Sequence, residues 1–300
     1  MDKLTVVVTG AEGQLGKDLV TLLSESGHHV IGFGRRGLDV TDLVHVQKTI
    51  SEIRPDVVVH SGAYTKVDQA ESEPEQAYLV NGYGTRNVAV ASQAVGAKLV
   101  YVSTDYVLNG QGAAPFDEFA LTDPLNVYGR SKWMGEQFVQ QLHTRYFIAR
   151  TSWVYGQHGN NFVKTMLKLG RQQSEVSVVN DQFGCPTYAW DLAQVISDLI
   201  VTDQYGVYHV SNTGSCTWFE FAQAIFECSS MNVRVLPVSS EEFQRPAKRP
   251  AFSVFDHQAL RLGGFKLPRH WKEALQAFLI EHDIGGEAAH EDRSALGRIG

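Results

Sequence analysis

Short apolar runs alternate with amphipathic segments through the first half of the chain. The runs predict strands at residues 4–9, 30–31, 57–60, 99–103 and 147–150. The segments between them have helical periodicity, and they predict helices from about residue 14, then over 42–53, 74–95 and 126–143. Continuous apolar strands separated by helices are typical of a parallel sheet with both faces covered. The pattern therefore predicts an α/β fold, a doubly wound parallel sheet of the Rossmann type.

The pattern becomes less regular after about residue 150. Helical periodicity at 161–169, 191–200, 218–227 and 271–280 is mixed with short strands and loops rich in proline and glycine. We expect a Rossmann domain over 1–150 and, over 151–284, mainly a smaller substrate-binding lobe with some segments that return to the first domain. Residues 285–300 are polar and have no periodicity, which predicts a disordered tail or a cloning remnant.

Composition narrows the class of protein. The chain has 300 residues, 43% hydrophobic and 20% charged, which is enough to form a full core. Its net charge of −7 argues against a nucleic-acid binder. No apolar run approaches the roughly 18 residues of a membrane span, and the N-terminus has no signal-peptide pattern. The three cysteines have no CxxC spacing, so we expect free thiols and a cytoplasmic protein.

A glycine-rich turn follows the first predicted strand. Gly10, Gly13 and Gly16 have the spacing GxxGxxG, and a helix is predicted to begin among them. In such a turn the first glycine permits a tight bend, the second lets the backbone approach a pyrophosphate, and the third lets the helix pack on the sheet. The helix N-terminus attracts the anion. We therefore predict a dinucleotide site that includes Gln14 and Leu15; the alternative is a turn without a ligand.

The end of the second strand indicates which dinucleotide binds. An NAD site usually has an acidic residue here for the ribose 2′-hydroxyl, whereas this chain has Arg35 and Arg36. A guanidinium pairs well with a 2′-phosphate, so we predict NADPH as the preferred cofactor, with NADH also used. Asp39 is expected at the adenine edge and Val40 on its face. The alternative is a pair of solvated arginines on a loop.

Tyr128 and Lys132 are spaced i, i+4 in a predicted helix, which puts them on one face. A nearby ammonium is expected to lower the pKa of the tyrosine toward neutrality, so that the pair can exchange a proton with a carbonyl or alcohol oxygen. Thr104 follows the fourth strand, at the sheet edge where open α/β folds bind ligands. Together these residues predict a site that polarises a carbonyl. The alternative is a chance Tyr-x-x-x-Lys on a solvated helix.

With these features the chain resembles the extended short-chain dehydrogenase/reductase family, up to about residue 284. The features are the 10–16 turn, the loop 63–65, Asn81, the segment 103–105, the Tyr128 and Lys132 pair, and the segment 150–156. Within that family the chain is most similar to the dTDP-4-dehydrorhamnose reductases. The strings that carry this similarity are AYTKVDQAE at 63–71, VSTDYV at 102–107, PLNVYGRSK at 124–132, DQFGCPT at 181–187 and RPAFS at 249–253.

The resemblance implies that the 4-keto group of dTDP-4-dehydro-L-rhamnose is reduced by NAD(P)H to give dTDP-L-rhamnose. In that reaction Tyr128 supplies the proton, Thr104 bonds the reacting oxygen, and Lys132 holds the nicotinamide ribose. The implied cofactor residues also include Ala63, Tyr64, Thr65 and Val102. Those implied for the nucleotide sugar are Val67, Thr104, Asp105 and Trp153. The loop 181–187, Arg249 and Ser253 are implied to close the cleft.

The resemblance also raises the question of a metal and of assembly. Some relatives form a magnesium-bridged homodimer through glutamates, but the matching positions here are Asp18 and Trp190. We therefore expect no magnesium site, and a homodimer stays open. The eleven histidines show no metal-ligand spacing. No nucleic acid or membrane is expected as a partner.

Three other functions stay open on sequence. A 4-epimerase would share Tyr128 and Lys132 but would keep NAD bound, and Arg35 and Arg36 fit an exchangeable NADPH better. A 4,6-dehydratase would need an Asp-Glu pair after the threonine, where this chain has Asp105 and Tyr106. A non-catalytic, cofactor-binding regulatory subunit could keep the same residues.

Overall fold

The computed structural model describes residues 3–282, so the predicted tail at 285–300 lies outside the described residues. Six strands form one parallel sheet, in the order β2-β1-β3-β4-β5-β10. Their bounds are β1 Thr5–Thr9, β2 His29–Phe33, β3 Val57–His60, β4 Lys98–Thr104, β5 Tyr146–Thr151 and β10 Gly206–His209. The predicted doubly wound parallel sheet is confirmed. β1 is flanked by β2 and β3, and this reversal of strand order opens a crevice at the carboxyl ends of the strands.

Alternate residues of each strand face opposite sides of the sheet, and each side has its own apolar core. Val6 and Val8 pack against Leu19 and Leu192 on one side. Val7 packs with residues of three other helices on the other side. The helices of the first side are α1 Gln14–Glu25 and α8 Ala189–Ile200; those of the second are α2 Leu43–Ile53, α5 Thr85–Val95 and α6 Val127–Leu142. Both faces of the sheet are therefore buried, as continuous apolar strands require.

The segment predicted as one helix over 74–95 contains an irregular turn. It begins as α4 Pro74–Ala77, continues as a π-helix over Tyr78–Gly84, and ends as α5. A further helix, α3 Val67–Ser72, precedes it. π-Helical turns arise where one extra residue is accommodated, and they are frequent at functional sites. This turn carries the buried side chain of Asn81.

A second apolar cluster lies among the elements after β5. Tyr155 packs against Phe221 in a tilted contact and against Phe278 edge-on. Trp190 packs against both this cluster and the core of the main sheet. The helices of this part are α7 Phe162–Gly170, α9 Trp218–Cys228, α10 Gln258–Leu262 and α11 Trp271–Glu281. Its strands pair two by two: β6 Val154–Tyr155 with β9 Thr187–Tyr188, β7 Glu175–Val179 with β12 Arg234–Val238, and β8 Phe183–Gly184 with β11 Cys216–Thr217. Within residues 3–282 no helix has the length and apolarity needed to cross a membrane.

Candidate active site

A cleft of about 790 Å³ runs along the carboxyl ends of the central strands. The structure brings all the predicted cofactor and substrate residues except Arg36 to its walls. The predicted residues that line the cleft are Gly10, Gly13, Gln14, Leu15, Gly16, Arg35, Asp39, Val40, Ala63, Tyr64, Thr65, Val67, Val102, Thr104, Asp105, Tyr128, Lys132 and Trp153. Their individual roles stay predictions.

The glycine-rich turn forms one end of the cleft. Gly10 has a φ of 71°, and a side chain there would collide with the backbone of Gly62. A side chain at Gly16 would overlap the carbonyl of Gly10, so α1 begins in direct contact with the turn. The first turn of α1 has no capping side chain, which leaves its N–H groups available for an anion. This bare backbone cradle fits the pyrophosphate of a dinucleotide.

The residues after β2 lie beside this cradle. Arg35 is exposed at the cleft wall, where it can meet a 2′-phosphate. Asp39 accepts hydrogen bonds from the Thr41 backbone N–H at 3.0 Å and the Thr41 hydroxyl at 2.8 Å. The backbone bond lowers the pKa of Asp39, so this carboxylate is ionised at neutral pH and available to the adenine amino group.

The loop at 63–65 is held by the π-helical turn. The Tyr64 backbone N–H donates to Asn81 Oδ1 at 2.7 Å, and Asn81 Nδ2 donates to the Tyr64 carbonyl at 3.0 Å. Asn81 Nδ2 also donates to the Ser131 hydroxyl of α6 at 2.9 Å. One buried amide thus connects the loop, the irregular turn and the helix that carries Tyr128 and Lys132.

Tyr128 and Thr104 meet at the centre of the cleft. Tyr128 lies in the first turn of α6, which Asn126 caps by accepting the Gly129 N–H at 2.8 Å. Burial raises the pKa of the Tyr128 phenol to about 12, and the nearby Thr104 hydroxyl only partly offsets this rise. The expectation of a lowered tyrosine pKa was wrong, because burial disfavours the phenolate and the negative charge of Asp105 adds to the rise. Tyr128 is therefore a protonated phenol, which suits a proton donor.

Lys132 is buried one turn further along α6. Its Nζ donates to the Val102 carbonyl at 2.6 Å and lies 4.2 Å from the centre of the Tyr101 ring. Burial lowers the pKa of Lys132 to about 7, and the negative charge of Glu136 counters the fall. Glu136 also accepts two hydrogen bonds from Arg150 of β5, at 2.9 and 2.8 Å. Glu136 is thus shared between the Lys132 and Arg150 side chains.

Asp105 begins the short 3₁₀ turn after β4 and is almost completely buried. Burial raises its pKa to about 6, and hydrogen bonds with Ser253 and Thr104 counter the rise. Among the described residues, nothing hydrogen-bonds the buried Asp105 Oδ2. A buried oxygen without a partner is costly, so this atom is suited to accept a hydroxyl of a bound sugar.

Trp153 lines the cleft on the side formed by the later elements, whereas Arg249 lies outside the lining. Trp153 has a φ of 47°, and its indole stacks on Trp218 with ring centres 3.5 Å apart. Gly184 leaves the space for this ring, since a side chain there would overlap the indole. Arg249 donates to both carboxylate oxygens of Asp68, at 2.6 and 2.9 Å. These contacts join parts of the chain that are distant in sequence.

The residues that replace the magnesium ligands of some relatives do not form a metal site. Asp18 is buried in α1, and desolvation raises its pKa to about 6. Trp190 is packed in the apolar cores. Across residues 3–282, no group of three or more His, Cys, Asp and Glu side chains could hold a metal ion. The indole of Trp190 offers no oxygen ligand to a divalent cation, so this position does not match the glutamate of those relatives.

The cleft wall also includes residues that the sequence did not single out. Several follow the carboxyl ends of strands, so the strand-end rule could have found them. Glu12 and Gly34 are different, because their juxtaposition depends on how the glycine-rich turn folds over β2. The lining residues to which the sequence assigned no individual role in binding or catalysis are Glu12, Gly34, Leu38, Ser61, Gly62, Val80, Ser103, Tyr106, Thr151, Ser152, Val154 and Asn160.

Comparison with known proteins then decides the family. Residues 4–284 match the model described as the RmlD substrate binding domain. The chain belongs to this family. The spore coat polysaccharide biosynthesis protein SpsK of Bacillus subtilis is 45% identical over 276 residues, which cover 92% of this chain and 97% of SpsK. The dTDP-4-dehydrorhamnose reductase of Streptomyces griseus is 43% identical, with 90% of this chain and 91% of that protein covered.

A solved structure of the same kind supports the fold over nearly its full length. The crystal structure of dTDP-4-dehydrorhamnose reductase from Bacillus anthracis in complex with NADP is 55% identical to this chain and superposes with a TM-score of 0.92. The match covers 93% of this chain and 100% of that one. This chain and that reductase are therefore similar in both sequence and doubly wound architecture.

Proposed function

We propose that this protein reduces the 4-keto group of dTDP-4-dehydro-L-rhamnose to give dTDP-L-rhamnose, with NADPH as the preferred cofactor and NADH also used. The observation that carries the proposal is the position of Tyr128 and Thr104 in the same cleft as the bare glycine-rich cradle. The relatives named dTDP-4-dehydrorhamnose reductase and the NADP-bound neighbour support the substrate and the cofactor. We further propose that residues 1–150 bind mainly the cofactor and that the lobe 151–284 binds mainly the sugar nucleotide.

The cofactor fits the chain's own groups. Gly10, Gly13 and Gly16 offer backbone N–H groups to its pyrophosphate, and Arg35 is available to a 2′-phosphate. Lys132 is within the same cleft and can exchange its bond to the Val102 carbonyl for bonds to ribose hydroxyls. When bound, NADPH supplies the hydride.

Tyr128 donates the proton in the proposed reaction. A phenol with a pKa of about 12 keeps its proton until a strong base forms beside it, and an alkoxide at sugar C4 is such a base. Thr104 lies beside the phenol and can orient the reacting oxygen through its hydroxyl. Lys132 compensates the charge that is left on Tyr128 after the transfer, since burial makes an isolated phenolate costly.

Sugar orientation is assigned to Asp105, Trp153 and Val67. The partnerless oxygen of Asp105 can accept a sugar hydroxyl, and the stacked Trp153 offers a flat apolar wall. Ser253 contacts Asp105, so the loop that carries it participates in closing the cleft. A homodimer and a cytoplasmic location remain predictions, the first testable by light scattering.

The test is a direct assay. Enzymatically prepared dTDP-4-dehydro-L-rhamnose is mixed with the protein and NADPH, the loss of NADPH absorbance is followed, and the product is identified by mass spectrometry and NMR. One equivalent of dTDP-L-rhamnose for each NADPH oxidised supports the proposal. Tight NADPH binding without oxidation would instead indicate another 4-keto nucleotide sugar or a regulatory subunit. Epimerisation with retained NAD would overturn the proposal.

A further inference from the structure

The carboxylate of Glu12 occupies the place at the end of β2 where dinucleotide sites usually carry an acid. The residue directly after β2 is Gly34, which has no side chain to offer. The Glu12 carboxylate lies against the bare face of Gly34, so that a side-chain carbon on Gly34 would overlap it. Both residues line the cofactor end of the cleft. The acid is therefore supplied by the glycine-rich turn instead of the strand.

The backbone fixes this arrangement. The N–H of Ala11, the neighbour of Glu12, donates to the Phe33 carbonyl at 3.0 Å, which ties the turn to the last residue of β2. The Gly13 N–H donates to the Gly10 carbonyl at 2.9 Å and closes the turn on its other side. Glu12 is thus anchored on both sides, while its side chain remains exposed.

The cation Arg35 lies on the same wall of the cleft as the Glu12 carboxylate. Arg35 follows Gly34 directly, is exposed, and lines the same wall. Within residues 3–282, neither Glu12 nor Arg35 forms an ion pair with another side chain. Both groups are therefore available to a ligand at the point where a ribose 2′-hydroxyl or 2′-phosphate is recognised.

We propose that Glu12 accepts the hydroxyls of the adenosine ribose and opposes Arg35, so that the site binds NADH as well as NADPH. The inference rests on the proposed function, because it assigns a nicotinamide cofactor to this cleft. An acid favours a neutral 2′-hydroxyl through a charge-assisted hydrogen bond and repels a 2′-phosphate, which carries nearly two negative charges. Arg35 has the reverse preference. The ratio of the two cofactor affinities is then set by the opposing preferences of Glu12 and Arg35.

The experiment measures cofactor binding without sugar, by titrating NADPH and NADH into the wild type and five variants. Glu12→Gln removes the charge and should raise the ratio Kd(NADH)/Kd(NADPH) by about tenfold, the size expected for losing a partly screened repulsion. Arg35→Ala should lower that ratio by a similar factor. Glu25→Gln makes the same charge change at the far, exposed end of α1 and should leave the ratio unchanged.

The fourth variant, Gly34→Ala, keeps every charge. Its methyl group displaces the Glu12 carboxylate, and the φ of Gly34 lies outside the left-handed region, so the backbone accepts alanine. The ratio should rise as it does for Glu12→Gln. Inhibition of binding by 2′,5′-ADP should strengthen relative to inhibition by 5′-AMP in both variants, which places the effect at the 2′ position.

The outcomes separate this inference from the proposed function. A ratio that changes less than twofold in Glu12→Gln, or an equal weakening of both cofactors, would overturn the role of Glu12. If the wild type binds both cofactors and the variants shift the ratio as expected, yet the wild type does not reduce the sugar, the proposed function is wrong and the inference still holds. If neither cofactor binds, both fail. Melting temperatures of the variants identify any loss of folding, and Glu12→Asp should restore the wild-type ratio.

Discussion

Arg150 and Glu136 form a two-pronged ion pair in which both side chains are buried, and Glu136 lies one helical turn beyond Lys132. The pair crosses from α6 to β5 and so connects the helix of the candidate proton donor to the central sheet. It also supplies the negative charge that favours the ammonium form of Lys132. The same contact therefore bears on stability and on the electrostatics of the cleft.

Glu136→Gln should lower the free energy of unfolding by about 3–5 kcal/mol, because it leaves the buried guanidinium of Arg150 without its counter-charge. Urea denaturation measures the change. Glu175→Gln is the control, since it breaks the exposed pair with Arg234, and its effect should be too small to resolve. Equal small effects from the two variants would show that water reaches the Arg150 pair.

Tyr128→Phe should lower kcat by about 10²- to 10⁴-fold, because the forming alkoxide loses its proton donor. The Kd of NADPH should change little, since the phenol hydroxyl is not part of the pyrophosphate cradle. Stopped-flow turnover and fluorescence titration give the two values. Tyr83→Phe, at an exposed position, is the matched control. Weakened NADPH binding with unchanged kcat would contradict the assignment.

Asp18→Asn should stabilise the protein at neutral and alkaline pH. The folded pKa of Asp18 is raised by burial from the ordinary 3.8 to about 6, so the folded state holds a proton that the unfolded state releases between these values. Stability from this group is complete below pH 3.8 and is lost as pH rises through 6. The substitution should therefore add about 2 kcal/mol above pH 6 and nothing below about pH 4.

Thermal unfolding of Asp18→Asn and wild type across this pH range tests the sign. Glu25→Gln, on the exposed end of the same helix, changes the charge equally and should give a flat difference. A gain that is larger at low pH than at high pH would be incompatible with a desolvated Asp18 carboxylate.

Removal of divalent cations should leave the reductase activity unchanged. Within the described residues no set of three or more metal-ligating side chains exists, and Trp190 is packed in apolar surroundings. The measurement is the initial rate after dialysis against EDTA, with and without added Mg²⁺. Activity that is lost with EDTA and recovered with Mg²⁺ would show that a metal contributes after all.

The sequence predicted most of the sheet because local and global preferences agree there. Residues 57–60 are continuous and apolar, and they form β3 with the predicted bounds. Asn126 precedes a helical pattern and caps α6. The glycine spacing at 10–16 predicted a turn that packs closely against other groups. In the structure the backbone of Gly10 packs directly against the backbone of Gly62.

Other features of the structure depend on contacts between residues that are distant in sequence, and hydrophobic periodicity does not predict such contacts. Tyr128 was expected to be acidic from its spacing to Lys132, but the spacing carries no information on burial, and burial decides its pKa. Glu12 and Gly34 are 22 positions apart in the sequence. Only the folded turn brings them together. The short helices α3 and α10 are held by tertiary packing more than by propensity.

The π-helical turn at 78–84 makes the number of residues in its helix as important as their identity. Deleting one residue there would restore ordinary α-helical bonding, but it would rotate the preceding turns by about 100° relative to α5. Asn81 could then no longer satisfy Tyr64 and Ser131 at once. A deletion in this turn would thus release the 63–65 loop from α6 even where the deleted residue does not itself line the cleft.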